Sequence, residues 1–216
     1  MTVGLLGGTF DPVHNGHLAA ADAAQQSLNL DTVMLIPSHV PPHRQDPVGA
    51  TSEQRYEMAA LAAAERPEWS ASRIEVDRNG PSYTYDTLLQ LGETLSVGSQ
   101  FFFILGADAF AEITTWSRYP AVLDLAHFVV VSRPGITLDS LRERVPSAFK
   151  HHPPCPPSRV RDLGSEETRV ILVEATTPDI SSTDIRRRVR AGQSLSHLVP
   201  DSVAQYISTH RLYVGH

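Results

Sequence analysis

Cys155 is the only cysteine among the 216 residues, so no disulfide can form within the chain. That fits a reducing compartment, and the cytoplasm is the expected location. No apolar run approaches the roughly 20 residues a membrane-spanning helix needs. The start, Met1-Thr2-Val3-Gly4-Leu5-Leu6, lacks the basic region of a secretion signal. No membrane partner is expected. Basic charge is also scarce: 18 Lys and Arg face 24 Asp and Glu, a net charge of −6. This balance argues against general nucleic-acid binding. No internal repeat is visible. No Gly-Lys-Ser/Thr follows a glycine-rich turn, and the Gly-x-Gly-x-x-Gly spacing is missing. Neither a Walker A loop nor a dinucleotide fingerprint is therefore present.

What is there is an ordinary globular composition, 41% hydrophobic and 19% charged, in a chain long enough for one substantial core. Short apolar runs at Val3–Leu6, Thr32–Ile36, Phe101–Leu105, Phe128–Ser132 and Val170–Val173 read as strands. Ile74 and Val76 suggest one more. Helices are expected over Leu18–Ser27, Ser52–Ala64 with Ser52 as N-cap, Ser82–Leu95, Ser182–Ala191 and Asp201–Ser208. Buried strands alternating with helices predict an α/β fold, a Rossmann-like doubly wound parallel sheet with helices on both faces. The expected organisation is a single domain over 1–216. It is interrupted at about 146–168 by an exposed, flexible loop around His151-His152-Pro153-Pro154-Cys155-Pro156-Pro157.

Two segments carry chemistry. Gly7-Gly8-Thr9-Phe10-Asp11-Pro12-Val13-His14-Asn15-Gly16-His17-Leu18 joins the first strand to an alanine-rich helix. Its glycines let backbone approach a ligand, and the helix start offers unpaired amides and the positive dipole end. His14 and His17 fall on one helical face. Zinc is the weaker reading of His-x-x-His, because no Glu lies within the segment and no cysteine cluster is near. The second segment is Ile180-Ser181-Ser182-Thr183-Asp184-Ile185-Arg186. Its hydroxyls can cap a helix or address phosphate, and Arg186 lies one turn on, able to reach the same anion. Taken alone, it reads equally as an N-cap followed by a solvated basic face.

His14-Asn15-Gly16-His17 resembles the His/Thr-x-Gly-His signature of the nucleotidyltransferase superfamily. The Ile-Ser-Ser-Thr-x-Ile-Arg segment resembles the second signature of bacterial-type nicotinate-mononucleotide adenylyltransferases. Three more segments are similar to that family in the same order. They are Ser38-His39-Val40-Pro41-Pro42-His43-Arg44, with Arg44 where the family usually has lysine; Pro81-Ser82-Tyr83-Thr84-Tyr85-Asp86-Thr87; and Leu105-Gly106-Ala107-Asp108 followed by Trp116.

The resemblance implies adenylyl transfer from ATP to nicotinate mononucleotide, giving deamido-NAD and pyrophosphate, with Mg²⁺ arriving on the nucleotide and no protein-built metal site. It implies His14, His17 and Arg186 as catalytic. Gly8, Thr9, Phe10, Gly106, Asp108, Arg133, Ser181, Ser182 and Thr183 join them around ATP. His43, Arg44, Tyr83, Thr84 and Trp116 would hold the acceptor. Nicotinamide mononucleotide or phosphopantetheine as acceptor, and a non-catalytic nucleotide sensor, are the competing readings.

Overall fold

The computed structural model describes residues 1–42, 49–95, 98–132, 136–162 and 167–214. His43, Arg44 and Arg133 lie outside the described residues. Along the chain run β1 (Thr2–Gly8), α1 (Asn15–Leu28), β2 (Thr32–Pro37), α2 (Ser52–Ala64), β3 (Trp69–Ala71), α3 (Thr84–Thr94) and β4 (Gln100–Gly106). Then follow α4 (Ala107–Ala111), β5 (His127–Ser132), α5 (Leu138–Arg144), β6 (Val170–Glu174), α6 (Ser182–Arg190) and α7 (Asp201–Thr209). The strands join in the order β3-β2-β1-β4-β5-β6. The β1–β4, β4–β5 and β5–β6 pairs are parallel, placing Leu5 opposite Phe103, Ile104 opposite Val129 and Val130 opposite Leu172. This is the expected α/β class, with the order reversing at β1 as in doubly wound sheets.

Two compact units share the chain. The first comprises Met1–Gly7, Ala20–Val33 and Tyr83–Thr177. Its β4 and β5 are apolar on both faces, and Phe102, Ile104, Phe128, Val129 and Val130 are all buried. A strand covered on both sides has no polar alternation, which is why these runs read as continuous. The second unit comprises Gly8–Ala19, Met34–Ser82 and Pro178–His216. There α2 and α7 pack together.

Four sequence expectations need correction. The short strand is Trp69–Ala71, not Ile74 and Val76. Residues 74–77 turn back on themselves, with the Asp77 amide bonded to the Arg73 carbonyl. The N-cap of α2 is Thr51, one residue early: its hydroxyl accepts from the Gln54 amide while the Gln54 side chain accepts from the Thr51 amide. This reciprocal box satisfies two donors where Ser52 would satisfy one. The described part of the proline-rich segment is exposed at His151, Pro153 and Pro156 but packed in part. It forms 3-10 turns at Pro146–Phe149 and Pro157–Asp162, buries His152 and Cys155, and bonds the Cys155 amide to the Val170 carbonyl. Proline excludes a regular helix or central strand there but opens a 3-10 turn without loss. Finally, α4 and α5 had no counterpart in the sequence reading, being too short for periodicity to show.

Phe102, fully buried on β4, tests this core. Phe102→Ala should lower the unfolding free energy by about 3–5 kcal/mol in urea titration. A loss below about 1 kcal/mol would mean the strand is not the centre of the unit.

Candidate active site

The second unit builds a corner from three separated segments. After β1 the chain turns sharply: Phe10 has φ 49° and buries its ring. A Cβ on Gly8 would sit 2.9 Å from that ring, so the corner closes only with glycine there. Phe10 therefore reaches a ligand through its backbone alone. Its ring instead stands edge-on to His17, 5.1 Å between centroids.

Two buried charges hold the corner still. Arg55, 1% exposed on α2, donates to four carbonyls: Thr9 at 2.7 Å, Ser38 at 2.6 Å, His39 at 2.9 Å and Ala50 at 3.3 Å. Asp11 is equally buried, and its carboxylate accepts from the Gly49 amide at 2.9 Å and the Ala50 amide at 3.0 Å. A buried ion is tolerable only when its hydrogen bonds are made, and both are engaged by the backbone they fix.

His14 and His17 interlock across the start of α1. The His14 amide donates to His17 Nδ1 at 3.2 Å, and the His17 amide donates to His14 Nδ1 at 3.3 Å. The rings stack at 3.6 Å. The arrangement is a capping box made by imidazoles. Both Nδ1 atoms must be unprotonated to accept, so both rings are neutral and carry their proton on Nε2. Burial pushes His14 down to about 4. Burial, and then the neighbouring His14, hold His17 well below its ordinary range. His17 keeps part of its surface open to solvent. The Asn15 amide is spent on the Leu198 carbonyl, which anchors the helix start to the chain before α7. At Gly16 a Cβ would lie 3.1 Å from the His14 ring and 3.3 Å from the Pro178 carbonyl, so this glycine is what admits the stacked pair.

The hydroxyls of the α6 signature divide their duties. Ser181 is the N-cap, accepting from the Asp184 amide at 3.1 Å. Ser182 spends its proton on the Pro12 carbonyl at 2.9 Å, stitching α6 to the first signature. Thr183 accepts from Arg186 Nη2 at 3.1 Å. Ser181 and Thr183 thus keep hydroxyl protons to give, whereas Ser182 is a structural stitch. Arg186 Nη1 donates to the Asp11 carbonyl at 2.8 Å and lies 3.6 Å from its carboxylate. The basic run is therefore not one solvated face. Arg186 turns into the corner, while Arg187 and Arg188 pair with Asp184. In the same unit the Ser82 hydroxyl accepts from the His39 amide at 2.8 Å.

The first unit carries the other predicted positions. Tyr83 is the N-cap of α3 and makes no side-chain cap, leaving the amides at Thr84 and beyond without a capping side chain. Gly106 precedes α4; a Cβ there would meet nothing within 4 Å, and Asp108 is exposed. Trp116 stands edge-on to Phe103 at 5.9 Å with part of its face uncovered.

Residues 5–188 match the cytidylyltransferase-like family model. The chain belongs to this family. A Roseiflexus relative named "Probable nicotinate-nucleotide adenylyltransferase" is 42% identical over 98% of the chain and 97% of its own length. Relatives of the same name from Geotalea daltonii, 39% identical over 99% and 98%, and Streptomyces coelicolor, 40% identical over 97% and 100%, match as fully. Among solved structures, the Plasmodium falciparum nicotinic acid mononucleotide adenylyltransferase complexed with NaAD superposes with TM-score 0.71. It covers 98% of this chain and 97% of that one at 17% identity. That likeness is one of fold.

Within this family frame, Asp11, Arg55 and Gly49 are the corner residues that the sequence reading passed over. Asp11 stands inside the first signature, and Arg55 interrupts an alanine-rich helix; a lone charge on an otherwise apolar face was the available signal. The histidine box is testable directly. At pH 7, ¹⁵N spectra should show both rings as the Nε2–H tautomer, with midpoints below 6.5 and His14 near 4. Because the unfolded rings take up protons at higher pH, stability should fall as pH drops below 6.5, with the His14 share fully lost below about 4. A ring of the ligand-free protein titrating at or above 6.5 would overturn the box.

Proposed function

We propose that this chain joins ATP to nicotinate mononucleotide, forming deamido-NAD and pyrophosphate, as a single nucleotidyltransferase domain working in the cytoplasm. A phosphate oxygen of the acceptor attacks the α-phosphorus, one P–O bond forms, and the bond to the β-phosphate oxygen breaks. The acceptor supplies the nucleophile, so the protein needs only alignment and charge stabilisation. The observation that carries the reading is the joining of both signatures in one corner, through Ser182 to Pro12 and Arg186 to Asp11.

His14 and His17 present neutral Nε2–H donors, His17 to the α-phosphate. Arg186, Ser181 and Thr183 address the β- and γ-phosphates as pyrophosphate leaves. Gly8, Thr9 and the Phe10 backbone line the same corner, and Asp108 would accept from ribose beside the open position at Gly106. His43, Arg44 and Arg133 enter by resemblance alone.

Mg²⁺ fits as an ion carried on the nucleotide. Among the described residues no group of three His, Cys, Asp or Glu comes together. The buried carboxylate in the corner, Asp11, already holds two amides. Such an ion would offset the charge of the phosphates. No described helix is long and apolar enough to cross a membrane.

The acceptor choice rests on α3. Its uncapped amides suit the two oxygens of a carboxylate, while a carboxamide would turn an NH₂ toward one of them and leave both donors unpaired. Pyrophosphate release with each mononucleotide should favour nicotinate over nicotinamide by about 10²-fold or more in kcat/KM. Trp116→Ala should weaken both acceptors while selectivity survives. Equal kcat/KM values in the unmodified protein would sink the nicotinate assignment. No release with either would favour a nucleotide sensor.

His17→Ala should lower kcat by roughly 10²–10³. Arg186→Lys should lower kcat with ATP saturating, because an ammonium cannot hold two oxygens in the plane a guanidinium does. A change confined to the apparent ATP affinity would reduce Arg186 to uniform binding.

A further inference from the structure

Tyr213 lies beyond the last helix, and adenylyl transfer as described makes no use of it. It is nevertheless buried, at 8% exposure. Its backbone is left-handed, with φ 63°, as is that of Arg211 at 50°. Side-chain-bearing residues adopt this region only when their surroundings require it. The Leu212 amide closes the end of α7 on the Ile207 carbonyl, and the turn that follows delivers the tyrosine inward.

Its destination is the phosphate corner, within the same compact unit. A Cβ on Gly49 would lie 2.9 Å from Cδ1 and Cε1 of Tyr213 and 3.3 Å from Cδ of Arg186. The phenol ring and the arginine stem thus fill the same space beside Gly49, which a side chain there would have to share. Gly49 is itself fixed by Asp11, whose carbonyl receives the Arg186 guanidinium. The Tyr213 hydroxyl is buried beside the Asp11 carboxylate. Burial, followed by the Asp11 charge, holds the phenol well above its usual range, so it stays neutral beside the carboxylate.

We propose that Tyr213 is a positioning residue for Arg186, its ring packing with the arginine stem on Gly49 so that the guanidinium stays on the Asp11 carbonyl and ready for the outgoing pyrophosphate. The ring does this by occupying space, not by chemistry, and touches no reacting atom. Filling that space restricts the rotamers of a long side chain, which otherwise must be ordered at the moment of reaction. The inference rests on the adenylyl-transfer reading for its purpose and on the packing for its mechanism.

The test is a double-mutant cycle on the full chain: unmodified protein, Tyr213→Ala, Arg186→Ala and the pair. Two quantities are read on each, namely kcat and KM from pyrophosphate release with ATP and nicotinate mononucleotide, and calorimetric affinity for tripolyphosphate. Tyr213→Ala should lower kcat by about 10- to 100-fold and change the KM for the acceptor by less than about threefold. In the Arg186→Ala background the same change should cost less than about twofold, because the group it positions is gone. Tyr213→Phe should stay within about threefold of the unmodified protein, since the ring is kept. If Tyr213→Ala does not fold, Tyr213→Leu, which keeps apolar bulk without the flat ring, enters the cycle in its place.

Additive losses in both kcat and tripolyphosphate affinity would overturn the proposal while leaving adenylyl transfer intact. So would a Tyr213→Ala protein within twofold of the original. Non-additive tripolyphosphate binding in a protein that releases no pyrophosphate would uphold the positioning role and sink the functional reading.

Discussion

An anion site built without lysine depends on geometry, and the corner proposed to hold phosphate is of that kind. The described corner offers neutral imidazole N–H groups, hydroxyls, backbone amides and one guanidinium. Dipoles lose their hold on an anion quickly when they swing, so the loop that carries them must not move. Asp11 and Arg55 impose that rigidity. One carboxylate takes the amides at Gly49 and Ala50; one guanidinium takes four carbonyls from Thr9, Ser38, His39 and Ala50. Removing either partner's hydrogen bonds would strand a buried charge, at about 3–5 kcal/mol.

The same economy governs the side chains that face the ligand. A capping box ordinarily satisfies two helix-start amides with a hydroxyl and a carboxamide, as Thr51 and Gln54 do on α2. At α1 two histidines do the work, which fixes their tautomer as a by-product. A cationic imidazole would lose the box, so charge enters the corner on Arg186 alone among these donors. Ser182 illustrates the converse: it sits amid the signature but gives its proton to Pro12, and the chain connection it makes is its function.

The strands were legible because parallel strands buried on both faces need uninterrupted apolar residues, and Phe101–Leu105 and Phe128–Ser132 have them. Both signatures were legible because they occur together, in order, with three more segments similar to one family; the hydroxyl cluster alone read equally as the helix cap that Ser181 in fact supplies. Ile74 and Val76 misled because two apolar residues around a glutamate satisfy a period of two by chance, while their hydrogen bonds close locally through Arg73 and Asp77. The packed part of the proline segment was illegible in principle: its burial depends on Val170, a contact set by the fold and not by neighbours in sequence. Asp11 and Arg55 were visible residues that the structure ties largely to backbone atoms, and backbone partners leave no trace in composition.

Helix caps sharpen the assignment of α3. The helices α2 and α5 each begin with a full capping box, α6 with the Ser181 hydroxyl. At α3, Tyr83 occupies the cap position and makes no side-chain cap. An uncapped start is not by itself a binding site, as α7, also uncapped behind Pro200, makes plain. The same holds for α4 behind Gly106. Open helix starts leave amides and the positive end of the dipole for an external acceptor, and under the function proposed above the pyridine carboxylate would be that acceptor at α3.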